Sequence, residues 1–367
     1  MPATGGSVYY TTDGTIPSPS NGTLYAGPSA ITVPANTTVQ VRAMSTADPS
    51  FIGDAHFRNY GFKPADPWYP TNFGIPVQAF SGGITGPIGG RYYTTGQWMY
   101  SGTNYEPFSA VYLYSTADFY NWQFDRKILD VPSPWDQVTR SHVLYNAATS
   151  KYVLWAHCDL ASQINNPAYN RACVGTASSI TGPWTWQNTS LDPDGVGFKD
   201  DNLFLDNDGT AYVTYTNGSQ YGIVVSQLAA DFLTTTGAHV TANGVAGRES
   251  PVLFRRNSTY FLISGDASTY NLQPTDIHAG YQTASSPLGT WSASSPLFAV
   301  DPVNTPYNGQ PCAVFKMPGT TDGWIFMADL WTIPTTNTTH LWLPLTFPTD
   351  SSAQVLTPAV WDLSSLI

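Results

Sequence analysis

The stretch LYSTADFYNWQF, residues 113–124, ends one apolar-aromatic run, turns at Asp118 and starts another run at Trp122. Three later stretches have a similar pattern in similar places: GTASSITGPWTWQ (175–187), VSQLAADFLTTTG (225–237) and YQTASSPLGTWSA (281–293). Successive copies lie about 50 to 60 residues apart, a period that suits one four-stranded propeller blade per copy. Roughly 300 residues at this spacing predict a five-bladed β-propeller.

Composition agrees with an all-β chain that buries a large core. Of the 367 residues, 14% are aromatic and 11% are charged. Apolar-aromatic runs are separated by Gly, Pro, Asn and Asp, with hardly a helical pattern anywhere. The net charge of -11, with only 14 Lys and Arg, argues against nucleic acid or an anionic membrane as partner. No apolar run approaches the roughly 20 residues that span a bilayer.

A cluster of prolines around KPADPWYP marks a boundary near residue 60. Residues 1–60 are predicted to form a small β-sandwich module, and residues 61–367 the propeller. Within the module, YYTTDGTIP, NGTLYAGP and TTVQVRA resemble the module found at the C-terminus of chitobiases, although its opening strand is missing. We expect a spacer here rather than a sugar-binding unit.

Three polar residues occupy matching places in the later repeats. Asp200, Glu249 and Gln310 each follow a turn-rich loop and directly precede an apolar strand. If the inner strand of every blade starts at the same face, the three side chains meet in one central funnel. The alternative for each acid is a solvated loop charge, which is the commoner role of an acid before a strand.

The same segments carry a family resemblance. DDNLFLDNDGTAYVTY and ESPVLFRRNSTYFLIS are similar to two motifs of glycoside hydrolase family 43, and STADFYNWQF and SSITGPW resemble its blade elements. The resemblance implies a five-bladed propeller that releases arabinose, xylose or galactose with inversion. It places Glu249 on the general acid and Asp200 on the aspartate that tunes and orients that acid.

Physical reasoning favours these roles. Inverting glycosidases need an acid on one side of the bond and a base on the other, with their carboxyl groups roughly 6.5–9.5 Å apart. The acid must stay protonated near working pH, which burial and a negative neighbour both promote. Asp200 supplies such a neighbour to Glu249, and Phe254 and the Tyr260–Phe261 pair are expected to supply apolar surroundings.

The segments around Gln310 resemble one branch of the family, the exo-β-1,3-galactanases. The first-blade stretch IPVQAFSGGITGPIGGRYYTTGQ contains no carboxylate, so the base used by most of the family is missing. In the galactanase branch a glutamine of the last blade stands in for that base, and Gln310 falls on it. Gln310 as a purely structural residue is the alternative.

This chain also departs from the branch. Thr139 and Gln97 stand where the branch has glutamates, and Phe80 stands where it has histidine. Either the substrate differs from β-1,3-galactan or catalysis has been lost. The open readings are therefore an exo-acting galactanase, an α-L-arabinofuranosidase or β-xylosidase, and a carbohydrate-binding propeller without turnover.

Sugar-holding residues are expected around this acid. Arg140, Gln97 and Thr139 are candidates for contacts with the terminal sugar, and Asp159 ends a strand that reaches towards the funnel. Trp331 is the best candidate for a stacking platform, with Trp155 or Tyr307 next, because aromatic faces stack on sugar rings. His157, two residues before Asp159, is read as a core histidine.

No cofactor is expected to be required, and no cluster has zinc or EF-hand spacing. The resemblance allows a structural calcium or a water at the propeller axis. We expect a monomer that acts on a polysaccharide or oligosaccharide.

Secretion is inferred from six N-x-[ST] sequons, although residues 1–14 do not read as a signal peptide. The sequons are at Asn21, Asn36, Asn188, Asn217, Asn257 and Asn337. Cys158 and Cys173, on successive predicted strands, could pair and leave Cys312 free; three buried thiols are the alternative.

Overall fold

The computed structural model of the chain is almost entirely β-structure. It describes residues 6–11, 20, 22–26, 39–45, 56–58, 68, 70, 72, 76–99, 108–163, 166–218, 222–242, 247–266, 279–299, 309–330, 339–358 and 361–366. Within these ranges no α-helix occurs, and the helical elements are the 3-10 turns Ala161–Gln163, Pro167–Tyr169 and Leu363–Leu366. None of the helices in this part of the chain is long and apolar enough to span a membrane.

The N-terminal region contains one antiparallel sheet of four strands in the order β2-β1-β3-β4. The strands are β1 Gly6–Thr11, β2 Thr23–Leu24, β3 Val39–Ser45 and β4 His56–Arg58. All four precede residue 60, where we place the domain boundary. The boundary itself lies outside the described residues.

Five further sheets follow, each of four antiparallel strands that are consecutive in sequence. Blade I has β5 Ile84–Ile88, β6 Arg91–Gln97, β7 Ala110–Thr116 and β8 Trp122–Asp130. Blade II has β9 Gln137–Asn146, β10 Lys151–Asp159, β11 Arg171–Ala177 and β12 Thr185–Leu191. Blade III has β13 Lys199–Leu205, β14 Ala211–Thr216, β15 Ile223–Leu228 and β16 Thr235–Thr241.

Blade IV has β17 Arg248–Arg256, β18 Thr259–Asp266, β19 Gly280–Ala284 and β20 Ser295–Pro296; blade V has β21 Gln310–Lys316, β22 Trp324–Leu330, β23 Thr339–Thr349 and β24 Ser352–Val355. The first strands of successive blades contact one another around the ring, β9 with β13, β13 with β17 and β17 with β21. The predicted all-β, five-bladed propeller is confirmed.

The sequence repeat has a single structural meaning. In blades I to III it ends the third strand, forms the turn and enters the fourth strand; in blade IV it stops two residues before the fourth strand. In three of these turns a tryptophan donates its indole N–H to a carbonyl three or four residues earlier: Trp122 to Phe119, Trp184 to Ile180 and Trp291 to Pro287. The repeat is therefore a recurring turn with a buried aromatic anchor, which explains why it keeps one copy per blade.

Side chains from the interfaces between blades form the core. One cluster joins blade I to blade V and contains Trp98, Trp122, Trp342 and Trp361. Two others join blade II to blade III and blade IV to blade V. Large aromatic side chains bury the most apolar area per residue, so a tryptophan-rich chain can stabilise the interfaces between neighbouring blades.

The ring closes through side chains. No described strand passes from blade I into the sheet of blade V. Instead, Phe80 stacks on His340 with ring centroids 4.5 Å apart. At the C-terminus, Trp361 donates its indole N–H to the Trp342 carbonyl, and the Leu363 backbone N–H donates to the Tyr120 hydroxyl.

Cys158 and Cys173 form a disulfide between β10 and β11, and Cys312 is a free, buried thiol. Among the sequons, Asn188 and Asn257 are exposed. Asn217 is buried and its side-chain oxygen accepts from the Gly222 N–H at 3.3 Å, so this sequon is not accessible in the folded chain. Asn21, Asn36 and Asn337 lie outside the described residues.

Candidate active site

The inner strands of the propeller are interrupted by bulges near their starts. The pairing register shifts between Lys199 and Asn202 in blade III and between Glu249 and Val252 in blade IV. Non-glycine residues with positive φ mark the corresponding places, namely Ser81, Arg140, Asp200 and Ser250, with φ values of 58°, 52°, 47° and 58°. Bulges re-aim side chains and are common beside active sites. Here they gather polar groups from different blades.

Glu249 is at the centre of this group. Its side chain is buried, and the residue is 5% exposed. Gln310, at the start of β21, donates from Nε2 to Glu249 Oε1 at 2.5 Å. Burial and the negative charge of Asp200 raise the pKa of Glu249 to about 8, against the opposing effects of Arg140, Gln310 and Lys199. The carboxyl group is therefore protonated at neutral pH and able to donate a proton.

Asp200 is held by Arg140 of the neighbouring blade. The Arg140 Nε lies 2.9 Å from Asp200 Oδ1. Both residues act on Glu249: after burial, the negative charge of Asp200 raises the pKa of the acid, while the guanidinium of Arg140 lowers it. The tuning role of Asp200 in catalysis stays a prediction.

Arg140 also joins three blades. Its backbone N–H donates to Gln97 Oε1 at 3.1 Å, and its Nη1 donates to the Pro311 carbonyl at 2.9 Å. The side chain is buried, and Nη2 has no hydrogen-bond partner within the described part of the chain. The Nε and Nη1 atoms of the guanidinium thus contact protein groups, and Nη2 is left for a ligand.

Both ends of the Gln97 amide also form hydrogen bonds within the protein. While its Oε1 accepts from Arg140, its Nε2 donates to Ser81 Oγ at 3.3 Å. Ser81 in turn donates from its backbone N–H and its hydroxyl to Asp329 Oδ2, at 2.5 and 2.9 Å. The structure therefore places Gln97 in a hydrogen-bond chain beneath the funnel, with both amide atoms occupied.

Asp329 was not identified from the sequence. It is buried on β22, pairs with Gln310 across the hairpin, and lies 3.3 Å from His340 Nδ1. The signal was present in WIFMADLW, where one acid interrupts an otherwise apolar strand. An acid buried in such a strand needs partners, and its partners come from residue 81 and residue 340.

Thr139, His157 and Asp159 lie together at one end of blade II. Thr139 Oγ1 is 3.3 Å from His157 Nδ1, and His157 Nε2 is 3.0 Å from Asn170 Oδ1. His157 is therefore a hydrogen-bonded, buried histidine. Burial raises the pKa of Asp159, whereas the neighbouring His157 and Lys199 oppose that shift.

The propeller axis holds polar groups. Burial and the charge of Arg140 lower the pKa of His142 to about 3, so this imidazole is neutral. Asn202 Nδ2 lies 3.4 Å from His142 Nδ1 and donates to the Cys312 carbonyl. Within the described ranges no three His, Cys, Asp or Glu side chains converge as metal ligands do. The structural calcium that the resemblance allows stays a prediction.

The aromatic candidates have different outcomes. Trp155 is fully buried between blades II and III and donates to the Phe232 carbonyl, so it is a core residue and not a platform. Phe254 and Phe261 pair with each other at the far end of the β17–β18 hairpin from Glu249, so they do not surround the acid. Tyr307 and Trp331 lie outside the described residues.

Comparison with known proteins identifies the family. Residues 88–330, well over half of the chain, match the family described as glycosyl hydrolases family 43. The chain belongs to glycosyl hydrolase family 43. Residues 2–51 match the chitobiase/β-hexosaminidase C-terminal domain. No curated protein sequence matches this family 43 chain.

Solved structures of the family share its fold. A family 43 β-1,3-galactosidase with galactodeoxynojirimycin is 24% identical, with a TM-score of 0.71, over 82% of this chain and 100% of that chain. An exo-β-1,3-galactanase from Clostridium thermocellum is 22% identical, with a TM-score of 0.70, over 84% and 68%. An exo-β-1,3-galactanase from Phanerochaete chrysosporium with galactose is 25% identical, with a TM-score of 0.70, over 83% and 68%.

Membership and geometry agree on the reaction class. This family 43 protein is a glycoside hydrolase, and its strongest candidate for the proton donor is a buried glutamate at the mouth of an inner strand. The structurally similar proteins are β-1,3-galactosidases and galactanases.

Proposed function

We propose that the protein is a secreted, exo-acting, inverting glycosidase that removes terminal galactose from β-1,3-galactan or from the galactan backbone of plant arabinogalactan. The proposal rests chiefly on Glu249, a buried carboxyl whose pKa is raised to about 8 at the mouth of β17. The names of the structural neighbours, which are β-1,3-galactosidases and exo-β-1,3-galactanases, support the choice of galactan. The exposed sequons Asn188 and Asn257 support secretion.

In the proposed reaction Glu249 gives its proton to the glycosidic oxygen as the bond from that oxygen to the anomeric carbon breaks. A water attacks the anomeric carbon from the opposite face and releases a proton to solvent, which gives the inverted sugar and the shortened glycan. The ionised Glu249 then takes up a proton from solvent before the next turnover. Burial and the charge of Asp200 keep Glu249 protonated in the free enzyme.

Gln310 is proposed to position the water. Its Nε2 donates to Glu249 at 2.5 Å, which fixes the orientation of the amide. The Oε1 end of the same amide is an acceptor and suits a hydrogen bond from water. An amide is a weak base, so the role we assign is to orient the water and not to hold its proton.

The alternative is an α-L-arabinofuranosidase or β-xylosidase of the same family. It is favoured by Thr139, a neutral residue beside Arg140 at the place where the galactanase branch has a glutamate. A different set of hydroxyl contacts at this place selects a different sugar.

The test is product release from β-1,3-galactan, arabinogalactan, arabinan and arabinoxylan, by the wild type and by Glu249→Gln. Asp208→Asn is the matched control, because Asp208 is an exposed carboxylate of the β13–β14 turn that accepts from Thr210 N–H. Galactose released by wild type and control but not by Glu249→Gln supports the proposal. Arabinose or xylose without galactose supports the alternative, and binding without turnover identifies a sugar-binding propeller.

A further inference from the structure

Asp159 is a carboxylate at the funnel that the proposed chemistry leaves without a task. It ends β10 and is 2% exposed. Its Oδ1 has no hydrogen-bond partner within the part of the chain that the structure describes. A buried carboxylate oxygen without a partner is costly, because its water contacts have not been replaced. Such an atom indicates a ligand that is absent from the structure.

The neighbouring histidine does not give Asp159 Oδ1 a hydrogen bond. His157, two residues earlier on the same face of β10, has its Nε2 3.0 Å from Asn170 Oδ1 and 3.6 Å from Asp159 Oδ2. Because the Asn170 oxygen can only accept, the Nε2 hydrogen is directed to Asn170. The histidine is therefore occupied, and the other carboxylate oxygen of Asp159 faces no donor of this residue.

Asp159 belongs electrostatically to the same funnel as the acid. The charges of Lys199 and Asp200, on the inner strand of blade III, both act on its carboxyl group. The charges of the same two residues also act on Glu249. Strand β10, which ends at Asp159, contacts strand β13, which begins with Lys199 and Asp200.

The position of Asp159 is also rigid. Cys158, directly before it, is joined by a disulfide to Cys173 on β11. The Asp159 carbonyl accepts from the Asp136 N–H at 3.2 Å. Held on both sides by covalent and backbone contacts, the carboxylate is preorganised, which is what a selective hydrogen-bonding site needs.

We propose that Asp159 binds a hydroxyl group of the sugar at the reacting end and thereby selects which sugar is cleaved. Its Oδ1, which has no partner among the described residues, accepts from that hydroxyl. This inference deepens the proposed function and rests on it. A site built to bind a hydroxyl rejects a sugar that lacks it, since the buried carboxylate is then left unpaired.

The test compares the wild type with Asp159→Ala on β-1,3-galactobiose and on four analogues that each lack one hydroxyl, 2, 3, 4 or 6, of the non-reducing sugar. We expect kcat/KM of the wild type to fall about 100-fold for one analogue, as for a lost charged hydrogen bond. Asp159→Ala should cleave galactobiose and that analogue equally slowly while still discriminating the other three. Unchanged discrimination among all four analogues in Asp159→Ala would overturn the inference.

Two further variants guard against a merely structural effect. Asp159→Asn keeps the shape of the side chain and should lose most of the same discrimination with an unchanged Tm. Asp208→Asn, which changes an exposed carboxylate on the β13–β14 turn, should keep it. Equal loss in both variants would argue for a structural role and against the inference.

If the wild type cleaves none of the galactans, the proposed function fails but the inference is still tested. Binding of D-galactose, L-arabinose and D-xylose is then measured by calorimetry. A sugar that binds to wild type and Asp208→Asn but about 100-fold more weakly to Asp159→Ala supports the hydroxyl site. Equal affinity for all three proteins, or no binding to the wild type, overturns it.

Discussion

Gln310 Nε2 lies 2.5 Å from Glu249 Oε1 and donates a hydrogen bond to it across the boundary between blades V and IV. The contact favours the ionised form of the carboxyl, whereas burial and Asp200 favour the protonated form. The proton of Glu249 is therefore controlled by three blades at once. Each contribution has a sign that kinetics can measure.

Asp200 raises the pKa of Glu249, so removing its charge should lower that pKa. In the wild type we expect kcat/KM to fall as the pH rises through about 8, because the acid loses its proton there. In Asp200→Asn the same alkaline limb should move to lower pH by roughly one unit. The measurement is the pH profile of kcat/KM on the substrate found in the panel, and an unshifted limb would contradict the tuning role.

Gln310→Ala should move the limb in the opposite direction. The lost N–H donor stabilised the carboxylate, so the pKa of Glu249 should rise while kcat falls by roughly 10²- to 10³-fold, as for a lost positioning donor. The pH profile of the same substrate separates this from a general loss of structure. A limb that moves to lower pH would show that the amide does not stabilise the Glu249 carboxylate. A kcat near the wild-type value would show that the amide does not orient the water.

Asp201→Asn should stabilise the protein at neutral pH. Asp201 is fully buried, neither carboxyl oxygen has a hydrogen-bond partner in the described part of the chain, and burial raises its pKa well above 3.8. Because the folded chain then binds the proton more tightly than the unfolded chain, wild-type stability falls as the pH rises above 3.8. The amide has no such dependence.

We expect Asp201→Asn to gain about 1–3 kcal/mol in the free energy of unfolding at pH 7 and little at pH 4. Urea unfolding at the two pH values is the measurement. Asp208→Asn, on the exposed turn of the same blade, should change neither. A destabilised Asp201→Asn would mean that the carboxylate has a partner, such as a bound cation, that the protein residues do not provide.

Cys158→Ser with Cys173→Ser should weaken blade II. A disulfide that closes a 15-residue loop is worth about 3 kcal/mol in the chain-entropy account. We expect a lower urea midpoint and, because Cys158 directly precedes Asp159, a larger loss of kcat/KM than Cys312→Ser causes. Equal kinetics for the two thiol variants would show that the disulfide supports the fold but not the site.

The fold was predictable because its information is local. Each repeat carries a turn, a buried aromatic and two strand ends within about a dozen residues, so the period alone predicts the number of blades. Glu249 and Asp200 were predictable for a similar reason: each directly precedes an apolar strand, and the inner strands start at one face. The disulfide could be proposed, but not decided, from cysteines on successive strands.

The hydrogen-bond partners of the polar residues were less predictable because they come from distant parts of the chain. Arg140 contacts Gln97, 43 residues away, and Pro311, 171 residues away. Ser81 and Asp329 are separated by 248 residues. Nothing near Gln97 in sequence says that its amide is already occupied. For the same reason Trp155 looked like a platform at a strand end, although it packs against the next blade.

Closure by side chains has a consequence for how the molecule responds to its ligand. The first and last blades are joined by the contacts of Ser81 with Asp329 and of Phe80 with His340. Ser81 also accepts a hydrogen bond from Gln97, and Asp329 pairs with Gln310 across the β21–β22 hairpin. A glycan bound to both blades would link the first and the last blade, which do not follow one another in the sequence. Binding of the glycan should then slow the unfolding of the whole ring, and resistance to proteases with and without glycan measures that rate.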